Sequence, residues 1–253
     1  SDGSYLFTSA TTTDALDVVR SFSRDEETGN LVRVPVARER VLPAPELTHI
    51  RAIVVSRCGK HVYATSLSEH LLLVFARRDG ELHLEQVFQD DDSPQVSFNG
   101  KKLPPWIKGA QVVDGLLLPA SLLISPDDRF IYVGAAQEGC LTVFERDAAT
   151  GRLQQIQRMT SHYKDENGKL WSGRTEMNLH GARELAFCPR AEYIYSVCNG
   201  GVGIFRRDQE SGEVSLVGTV SGFHDSIPSL HMACAIVVSK SGKHVFVASH
   251  GDK

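Results

Sequence analysis

Residues 56–63 (SRCGKHVY) and 239–246 (SKSGKHVF) repeat one pattern, Ser-x-x-Gly-Lys-His-Val-aromatic, almost without change. Each copy is a turn followed by residues that favour a β-strand. Three looser copies of the same turn and strand occur at residues 1–7 (SDGSYLF), 125–132 (SPDDRFIY) and 188–195 (CPRAEYIY). Self-similarity over tens of residues is typical of repeat arrays and propellers, so this repeat predicts the fold class.

A second pattern, Phe-x-Arg-Asp followed by a Thr-Gly or Ser-Gly turn, runs in step with the first. Its four copies lie at residues 22–31 (FSRDEETGNL), 75–82 (FARRDGEL, which is shortened), 144–153 (FERDAATGRL) and 205–214 (FRRDQESGEV). The phenylalanine follows the preceding turn at a nearly constant distance, so the two patterns belong to one structural unit. We expect each Arg-Asp pair to form a solvated turn with local hydrogen bonds.

The third unit shows how each unit is built. Strands are predicted at residues 118–124, 130–136, 140–145 and 152–159, joined by turns rich in Pro, Asp and Gly. Four antiparallel strands, repeated along a chain, describe the blades of an all-β propeller. A β-sandwich would not need the same turn sequence in each successive unit, whereas stacked blades bury the same faces against their neighbours.

The composition fits one large all-β domain or part of one. Of the 253 residues 42% are apolar, and a formal charge of -4 with a pI near 6.2 argues against a nucleic-acid partner, which needs a clustered basic face. The longest nearly apolar run, residues 116–124, is too short to cross a bilayer, so no membrane insertion is expected. The five cysteines form no Cys-x-x-Cys pair and indicate a reducing, cytoplasmic compartment.

The stretches SPDDRFIYV with VFERDAATGRL, and GARELAFCPRAEYIYSV with IFRRDQESGEV, resemble the seven-bladed lactonase propellers, which include propeller-type 6-phosphogluconolactonases and carboxymuconate cyclases. The resemblance rests on turn and strand residues. It implies a lactonase that hydrolyses a small anionic lactone, derived from a sugar or carrying a carboxylate, with activated water and without a metal or an organic cofactor. The alternative is a non-catalytic propeller that serves as a protein-interaction scaffold in a larger protein or assembly.

The repeat divides the chain into five blade units and two insertions. The units are placed at residues 1–47, 48–90, 116–160, 180–220 and 231–253, and the insertions at 91–115 and 161–179. The units provide seventeen predicted strands, whereas seven blades of four strands need about 28. We therefore expect four to five blades of a larger propeller, whose missing blades come from the rest of the parent chain or from a partner.

Residues at the start of each first strand should rim one face of the propeller, because first strands line the central channel. The resemblance places the active site of the family at this mouth. It implies four catalytic candidates. His180 or His231 would act as base or orienting residue, Arg183 would clamp the anion, and Glu184 is an alternative base. His49 and Arg51 would bind substrate. The alternative for each residue is that it caps a strand end and bonds the neighbouring backbone.

Both insertions place Asn-Gly-Lys before a tryptophan, as FNGKKLPPW and ENGKLW. Asn-Gly favours a tight hairpin turn, so each insertion is predicted to form a hairpin near the mouth. Lys101, Lys102, Trp106 and Trp171 are candidate substrate-binding residues, on lids that exclude water and add cations. The alternatives are arms that present the tryptophans to a protein partner, and surface loops without a role.

Three other polar features are expected to be structural. His61 and His244 follow the turn at the opposite end of the first strand and are predicted to be structural or solvent-facing. Asp90, Asp91 and Asp92 form an acidic run that does not complete a metal-ligand set of the usual spacing, so a solvated loop is the simplest interpretation.

Overall fold

The computed structural model describes residues 5–9, 19–33, 50–78, 81–91, 109–137, 139–160, 162–164, 170–172, 182–198, 201–221, 230 and 233–250. The regular structure of these residues is almost entirely β, in twenty strands. None of the described residues belongs to a helix that is long and apolar enough to span a membrane.

The first two blades form a three-stranded and a five-stranded sheet. The first blade consists of β1 (Tyr5–Ser9), β2 (Val19–Arg24) and β3 (Leu31–Arg33). The second blade consists of β4 (Ile50–Val55), β5 (His61–Ser66), β6 (Leu71–Arg78), β7 (Glu81–Asp90) and β8 (Gln111–Val113). Its first four strands are antiparallel, and the short β8 is added parallel to β7.

The remaining sheets follow in chain order and are antiparallel. The third blade consists of β9 (Pro119–Ile124), β10 (Phe130–Ala135), β11 (Cys140–Arg146) and β12 (Leu153–Thr160). A two-stranded hairpin of β13 (His162–Lys164) and β14 (Leu170–Ser172) comes next. The fourth blade consists of β15 (Glu184–Phe187), β16 (Tyr193–Cys198), β17 (Gly201–Arg207) and β18 (Val214–Ser221). The last two strands, β19 (Ala233–Val238) and β20 (Val245–Ser249), form one more pair.

These sheets confirm the predicted all-β architecture of four-stranded antiparallel blades. The four strands predicted in the third unit match β9 to β12 to within one or two residues. Three of the twenty strands, β8, β13 and β14, lie in the insertions. The second insertion forms the expected hairpin, in which Lys164 pairs with Leu170. Residues 92–108 of the first insertion lie outside the described residues, and β8 was not predicted.

The repeated turn is closed by the side chain of its first residue. In four copies that side chain accepts the backbone N–H five positions on: Ser56 from His61 at 3.0 Å, Ser125 from Phe130 at 2.9 Å, Cys188 from Tyr193 at 3.3 Å and Ser239 from His244 at 3.1 Å. The fourth residue of the turn has a positive φ, +68° at Gly59 and +63° at Asp128. That left-handed conformation is the reason for glycine in the two close copies.

The aspartate of the Phe-x-Arg-Asp pattern forms the solvated turn that was predicted. Asp147 is exposed, and its Oδ1 accepts the amide of Thr150 at 2.6 Å and the hydroxyl of Thr150 at 2.8 Å. Gly151 follows with a φ of +74°, and its N–H donates to the Asp147 carbonyl at 2.9 Å. These hydrogen bonds from Thr150 hold the pKa of Asp147 below its ordinary value.

The arginine of the same pattern is buried, so its predicted place in a solvated turn was wrong. Arg146 is 4% exposed, and its Nε donates to the Tyr63 hydroxyl of the preceding blade at 2.6 Å. That hydroxyl in turn donates to the Gly151 carbonyl at 2.9 Å. A buried guanidinium needs acceptors, and the neighbouring blade supplies one. We call this tyrosine, arginine and glycine arrangement the interblade lock.

The interblade lock recurs between the third and fourth blades. Arg207 is 5% exposed, and its Nε donates to the Tyr132 hydroxyl at 2.7 Å. Tyr132 donates to the Gly212 carbonyl at 2.8 Å, and Arg207 also pairs with Asp127 at 2.8 Å. The two repeated sequence patterns therefore meet across blade boundaries, since the tyrosine ends one pattern and the arginine and glycine belong to the other.

His61 is a structural residue, as predicted, and His244 is exposed. His61 is 5% exposed, and its Nδ1 lies 2.9 Å from Nη2 of Arg146. Arginine only donates, so Nδ1 must be the acceptor and the ring is neutral. Burial, reinforced by the charge of Arg146, lowers the pKa of His61. The ring also packs on Gly151, where a Cβ atom would clash with it.

A glutamine on the outer strand makes a second contact between blades. The Gln86 amide donates to the Leu153 carbonyl and accepts from the Leu153 N–H, each at 2.9 Å. Gln157 makes the same pair of bonds to Val214, at 2.9 and 2.8 Å. The side chain thus continues the hydrogen-bond pattern of a strand into the next blade.

Apolar side chains fill the space between successive sheets. Tyr63, Leu72 and Phe88 of the second blade pack with Ile131 and Phe144 of the third in one buried cluster. The rings of Phe88 and Phe144 lie 5.0 Å apart at their centroids. The third blade therefore covers the apolar face of the second blade, as propeller packing requires.

The first strands of successive blades lie side by side, with β4 next to β9, β9 next to β15 and β15 next to β19. They form the inner wall of the arc of blades. We call the end at which these strands begin the mouth face, and the end that carries the repeated turns the turn face. At the end of the arc, Phe246 is 59% exposed, whereas Tyr63 and Tyr132 at the matching positions are fully buried.

Candidate active site

A β-bulge interrupts the first strand of several blades at the mouth face. The pairing of β4 with β5 skips Arg51, and the pairing of β19 with β20 skips Cys234. The matching residue of β9 is Ala120, and the matching residue before β15 is Arg183. A bulge re-aims a side chain at the edge of a sheet and is common beside active sites. Arg183 therefore matches the bulge residue Arg51, and the two arginines occupy equivalent positions around the inner wall.

Glu184 is the first residue of β15 and follows the bulge position directly. It pairs with Val197 and is half-buried. Burial raises the pKa of the Glu184 carboxyl above its ordinary value, and the positive charge of Arg51 opposes part of that rise. Arg51 and Glu184 belong to the second and fourth blades, so their charges interact across the third blade, which has only Ala120 at the bulge position.

The structure therefore brings three of the predicted site residues to one region, namely Arg51, Arg183 and Glu184. Arg51 is exposed and Arg183 is half-buried, with its backbone N–H donating to the Val197 carbonyl at 3.0 Å. The predicted residues that lie outside the described part of the chain are His49, Lys101, Lys102, Trp106, His180 and His231. Trp171 lies on β14, where its backbone pairs with Tyr163.

A buried hydroxyl lies on the strand next to Glu184. Ser121 on β9 occupies the position that Glu184 has on β15, since the two residues pair with the matching Gly134 and Val197. It is 4% exposed, and among the described residues its Oγ has no hydrogen-bond partner. Gly134 leaves room for it, because a Cβ there would lie 2.5 Å from that oxygen.

Two residues that fix the start of the third blade were missed or misread in the sequence. Asp90 is 2% exposed, and its Oδ2 accepts the N–H groups of Gly115 at 3.1 Å and Leu116 at 2.6 Å. Asp90 therefore does not lie in a solvated loop, because the backbone that leads into β9 needs a buried acceptor. His70 was not singled out; its Nδ1 accepts the Leu118 N–H at 3.1 Å.

His70 is a neutral, buried residue of the mouth face. It is 4% exposed, has a φ of +57° and ends the turn between β5 and β6. Burial lowers its pKa to about 4. A protonated Nδ1 could not accept the bond from Leu118. His70 therefore positions the mouth and does not carry charge there.

One group of carboxylates in the described part of the chain is close enough to hold a cation. Oxygens of Asp90, Asp91 and Asp114 lie within 4.8 Å of one another. Asp90 already accepts two backbone N–H groups, and Asp114 forms an ion pair with Arg158 at 3.0 Å. These partners offset much of the negative charge that a hard cation would require.

Known structures share this fold. A putative 6-phosphogluconolactonase from Bacteroides uniformis aligns with 98% of the chain at a TM-score of 0.62 and 19% identity. The periplasmic gluconolactonase PpgL of Pseudomonas aeruginosa aligns with 87% of it at a TM-score of 0.56 and 22% identity. The fold is that of a lactonase-like β-propeller. The alignments cover 62% and 52% of those two proteins, so this chain spans between half and two thirds of their length.

The same architecture also occurs in a protein named for other chemistry. The hydrazine synthase of Kuenenia stuttgartiensis aligns with 97% of the chain at a TM-score of 0.54 and 16% identity, over 52% of its own length. No protein-family model and no curated protein sequence matches the chain. Identities below one quarter establish the fold alone, and the chemistry has to be argued from the site.

Proposed function

We propose that the chain forms part of a lactonase-type hydrolase whose active site lies at the mouth face. The observation that carries the proposal is Glu184, a half-buried carboxyl with a raised pKa, beside Arg183 and within the electrostatic reach of Arg51. A raised carboxyl pKa suits a general base, because a carboxylate of ordinary pKa is a weak base at neutral pH. The lactonase-like fold supports the same reaction class.

The proposed reaction follows from the types of groups at the mouth. The Glu184 carboxylate takes a proton from water while the water oxygen attacks the lactone carbonyl carbon. Arg183 stabilises the tetrahedral oxyanion. Collapse of that intermediate breaks the ring C–O bond, and the proton passes from Glu184 to the departing alkoxide. The product is the open-chain hydroxy acid.

Arg51 is the proposed anion clamp. It is exposed at a bulge position, so its guanidinium can reach a phosphate or carboxylate of a bound substrate. A small anionic lactone, such as a phosphorylated sugar lactone or a carboxymuconolactone, is therefore the proposed substrate class. The buried Ser121 Oγ has no hydrogen-bond partner among the described residues, so it is a further hydrogen-bond donor on the inner wall.

We propose that additional sheets complete this mouth in the active protein. The exposed side chains of the last strand pair, Val237 at 60% and Phe246 at 59%, lie on a blade face of the kind that the next sheet covers elsewhere in the arc. The lactonase-like neighbours contain chain beyond the aligned part, which supports this proposal. The scaffold alternative makes use of the same exposed face and predicts no lactone turnover.

Arg51→Gln tests the clamp at a pH well above the pKa of Glu184, where the loss of the Arg51 charge leaves the proposed base ionised. There we expect a tenfold or greater rise in KM for 6-phosphogluconolactone, a smaller rise for unphosphorylated gluconolactone, and little change in kcat. Arg57→Gln is the matched control, because Arg57 is an exposed arginine of the same blade on the turn face. Equal effects of the two substitutions would remove Arg51 from the site.

A further inference from the structure

The first blade carries the arginine and the glycine of an interblade lock on a face that no described sheet covers. Arg24 occupies the place of Arg146 in the Phe-x-Arg-Asp pattern. Each arginine pairs with the first residue of the following strand, Leu31 in β3 and Leu153 in β12. The burial of the two arginines differs, because Arg146 is 4% exposed and Arg24 is exposed.

The turn that follows Arg24 already has the conformation of a lock. Asp25 Oδ1 accepts the amide and the hydroxyl of Thr28, each at 2.7 Å. The Gly29 N–H donates to the Asp25 carbonyl at 2.9 Å, and the φ of Gly29 is +72°, against +74° at Gly151. The Gly29 carbonyl is therefore held as the Gly151 carbonyl is, and the latter accepts a tyrosine hydroxyl.

Space for a ring is open beside the turn of the first blade. A Cβ atom on Gly151 would clash with the ring of His61, and one on Gly212 would clash with the ring of Phe130. His61 and Phe130 each lie two residues before a lock tyrosine. Apart from its neighbours in the chain, no described residue lies within 4 Å of a Cβ atom on Gly29.

The apolar part of this face is exposed as well. Leu6 matches Ile131, since each pairs with the phenylalanine of its Phe-x-Arg-Asp pattern. Leu6 and Leu31 are 43% and 48% exposed. Ile131 and Leu153, at the matching positions of the third blade, are 0% and 5% exposed because the second blade covers them.

The backbone of Leu31 offers a further pair of hydrogen bonds. In the third and fourth blades the matching residues are Leu153 and Val214. A glutamine on the fourth strand of the preceding blade, Gln86 or Gln157, bonds both the N–H and the C=O of these residues. The first blade thus presents every group that a preceding blade contacts elsewhere in the arc.

We propose that the open face, formed by Leu6, Arg24, Gly29 and Leu31, binds a further propeller-type blade that carries a tyrosine at the lock position. The tyrosine hydroxyl accepts a hydrogen bond from Nε of Arg24 and donates one to the Gly29 carbonyl. The same blade brings a histidine or phenylalanine ring to Gly29 and a glutamine to Leu31. A buried guanidinium requires such an acceptor.

The exposed end of a second copy of this chain does not meet these requirements. Its last strand pair has Phe246 at the lock position, and phenylalanine has no hydroxyl. The open face lies at the opposite end of the arc from Phe246, and its role does not depend on the proposed hydrolysis.

The test adds a blade of this kind to the intact chain. Residues 48–124 are joined ahead of Ser1, because Ser1 and Ser125 open matching turns and the repeat then continues without a break. The added residues include second copies of Tyr63, His61 and Gln86, which are the three contacts that the open face requires.

Amide hydrogen exchange, followed by NMR, measures the contact directly. The Leu31 amide should exchange at least tenfold more slowly in the extended chain, because the added glutamine bonds it. The Leu153 amide is the control, since Gln86 already bonds it and its exchange should stay the same.

Arg24→Gln separates the lock from general apolar contact. In the extended chain it should lower the equilibrium constant for folding about tenfold, as measured by urea unfolding, because it removes the donor to the added tyrosine. In the unextended chain it should have little effect, since Arg24 is exposed there. Arg206→Gln, at another exposed arginine, is the matched control and should have little effect in either chain.

Three results would overturn the proposal. The first is an added blade whose amides remain unprotected, because a face that accepts a blade should extend the array. The second is an equal effect of Arg24→Gln in the extended and unextended chains. The third is self-association of the unextended chain that Arg24→Gln abolishes, which would make a second copy the occupant.

Discussion

The hydroxyl of Tyr63 accepts a hydrogen bond from Nε of Arg146 at 2.6 Å and donates one to the Gly151 carbonyl at 2.9 Å, across the boundary between the second and third blades. Tyr132 and Arg207 repeat the contact one blade later at 2.7 Å. A single phenolic oxygen thus satisfies a buried cation and a buried carbonyl from the next blade. The two repeated sequence patterns therefore supply the hydrogen bonds that join neighbouring blades.

Tyr63→Phe should destabilise the protein by about 1–3 kcal/mol, because it leaves the Arg146 Nε and the Gly151 carbonyl without this partner. Urea unfolding followed by tryptophan fluorescence measures the change. Tyr193→Phe is the control, since Tyr193 is half-exposed and belongs to no interblade lock. Equal losses from both substitutions would mean that the lock adds nothing specific.

Arg206 and Arg207 are neighbours in the chain and offer a matched pair. Arg207 is buried against Tyr132 and Asp127, whereas Arg206 is exposed. Removal of a buried, paired cation leaves its partners uncompensated, so Arg207→Gln should cost about 2–4 kcal/mol of unfolding free energy. Arg206→Gln should change it by less than about 0.5 kcal/mol. Similar values for both would contradict the burial of Arg207.

His70 should make stability depend on pH. Its pKa is about 4 in the folded protein against an ordinary 6.5, so the unfolded chain binds the proton more readily. Stability should therefore fall as the pH drops from about 6.5 towards 4, by on the order of 3 kcal/mol from this group. His70→Asn keeps an acceptor for the Leu118 N–H and tolerates the positive φ.

The difference in unfolding free energy between the unchanged protein and His70→Asn, measured from pH 7 to pH 4, isolates this effect from other titrating groups. The unchanged protein should lose more stability over that range. A parallel decline of the two proteins would show that His70 does not titrate in the folded state as described.

Cys58 should be the most reactive described thiol. Burial alone would raise its pKa, but hydrogen bonds with Ser56 and the Lys60 amide, together with the charge of Arg146, outweigh burial and lower it. Cys58 is exposed, whereas Cys198 is buried and its pKa is raised to about 12. Because the thiolate is the nucleophile, a disulfide reagent should modify Cys58 first. Cys58→Ser should remove the fast phase, and its persistence would refute the assignment.

The sequence predicted the blades well because their turns and strands depend on neighbouring residues. The side chain of Ser56 closes its own turn, and Gly59 is needed for the positive φ within it. Such contacts span a few residues, so they leave a repeated pattern. The strands of the third blade follow from the same short-range rules.

The contacts between blades could not be predicted in the same way. Arg146 and Asp90 lie in polar stretches that are typical of solvated turns, but both residues are buried because another part of the chain covers them. Tyr63 lies 83 residues from Arg146 in sequence, and neither local sequence pattern indicates that the other residue is its partner. The interaction of Glu184 with Arg51 is of the same kind. Sequence reasoning chose both residues for the rim, but the effect of the Arg51 charge on the pKa of Glu184 depends on the packing of three blades.

The rate of 6-phosphogluconolactone hydrolysis as a function of pH, compared between the unchanged protein, Glu184→Gln and Glu192→Gln, tests the proposed site most directly. Glu192 is an exposed carboxylate of the same blade on the turn face. We predict that kcat rises with pH through a value above the ordinary glutamate pKa, that Glu184→Gln lowers kcat by about 10²–10⁴-fold and abolishes this rise, and that Glu192→Gln changes neither. Hydrolysis by Glu184→Gln at an undiminished rate with the same pH profile would contradict the account.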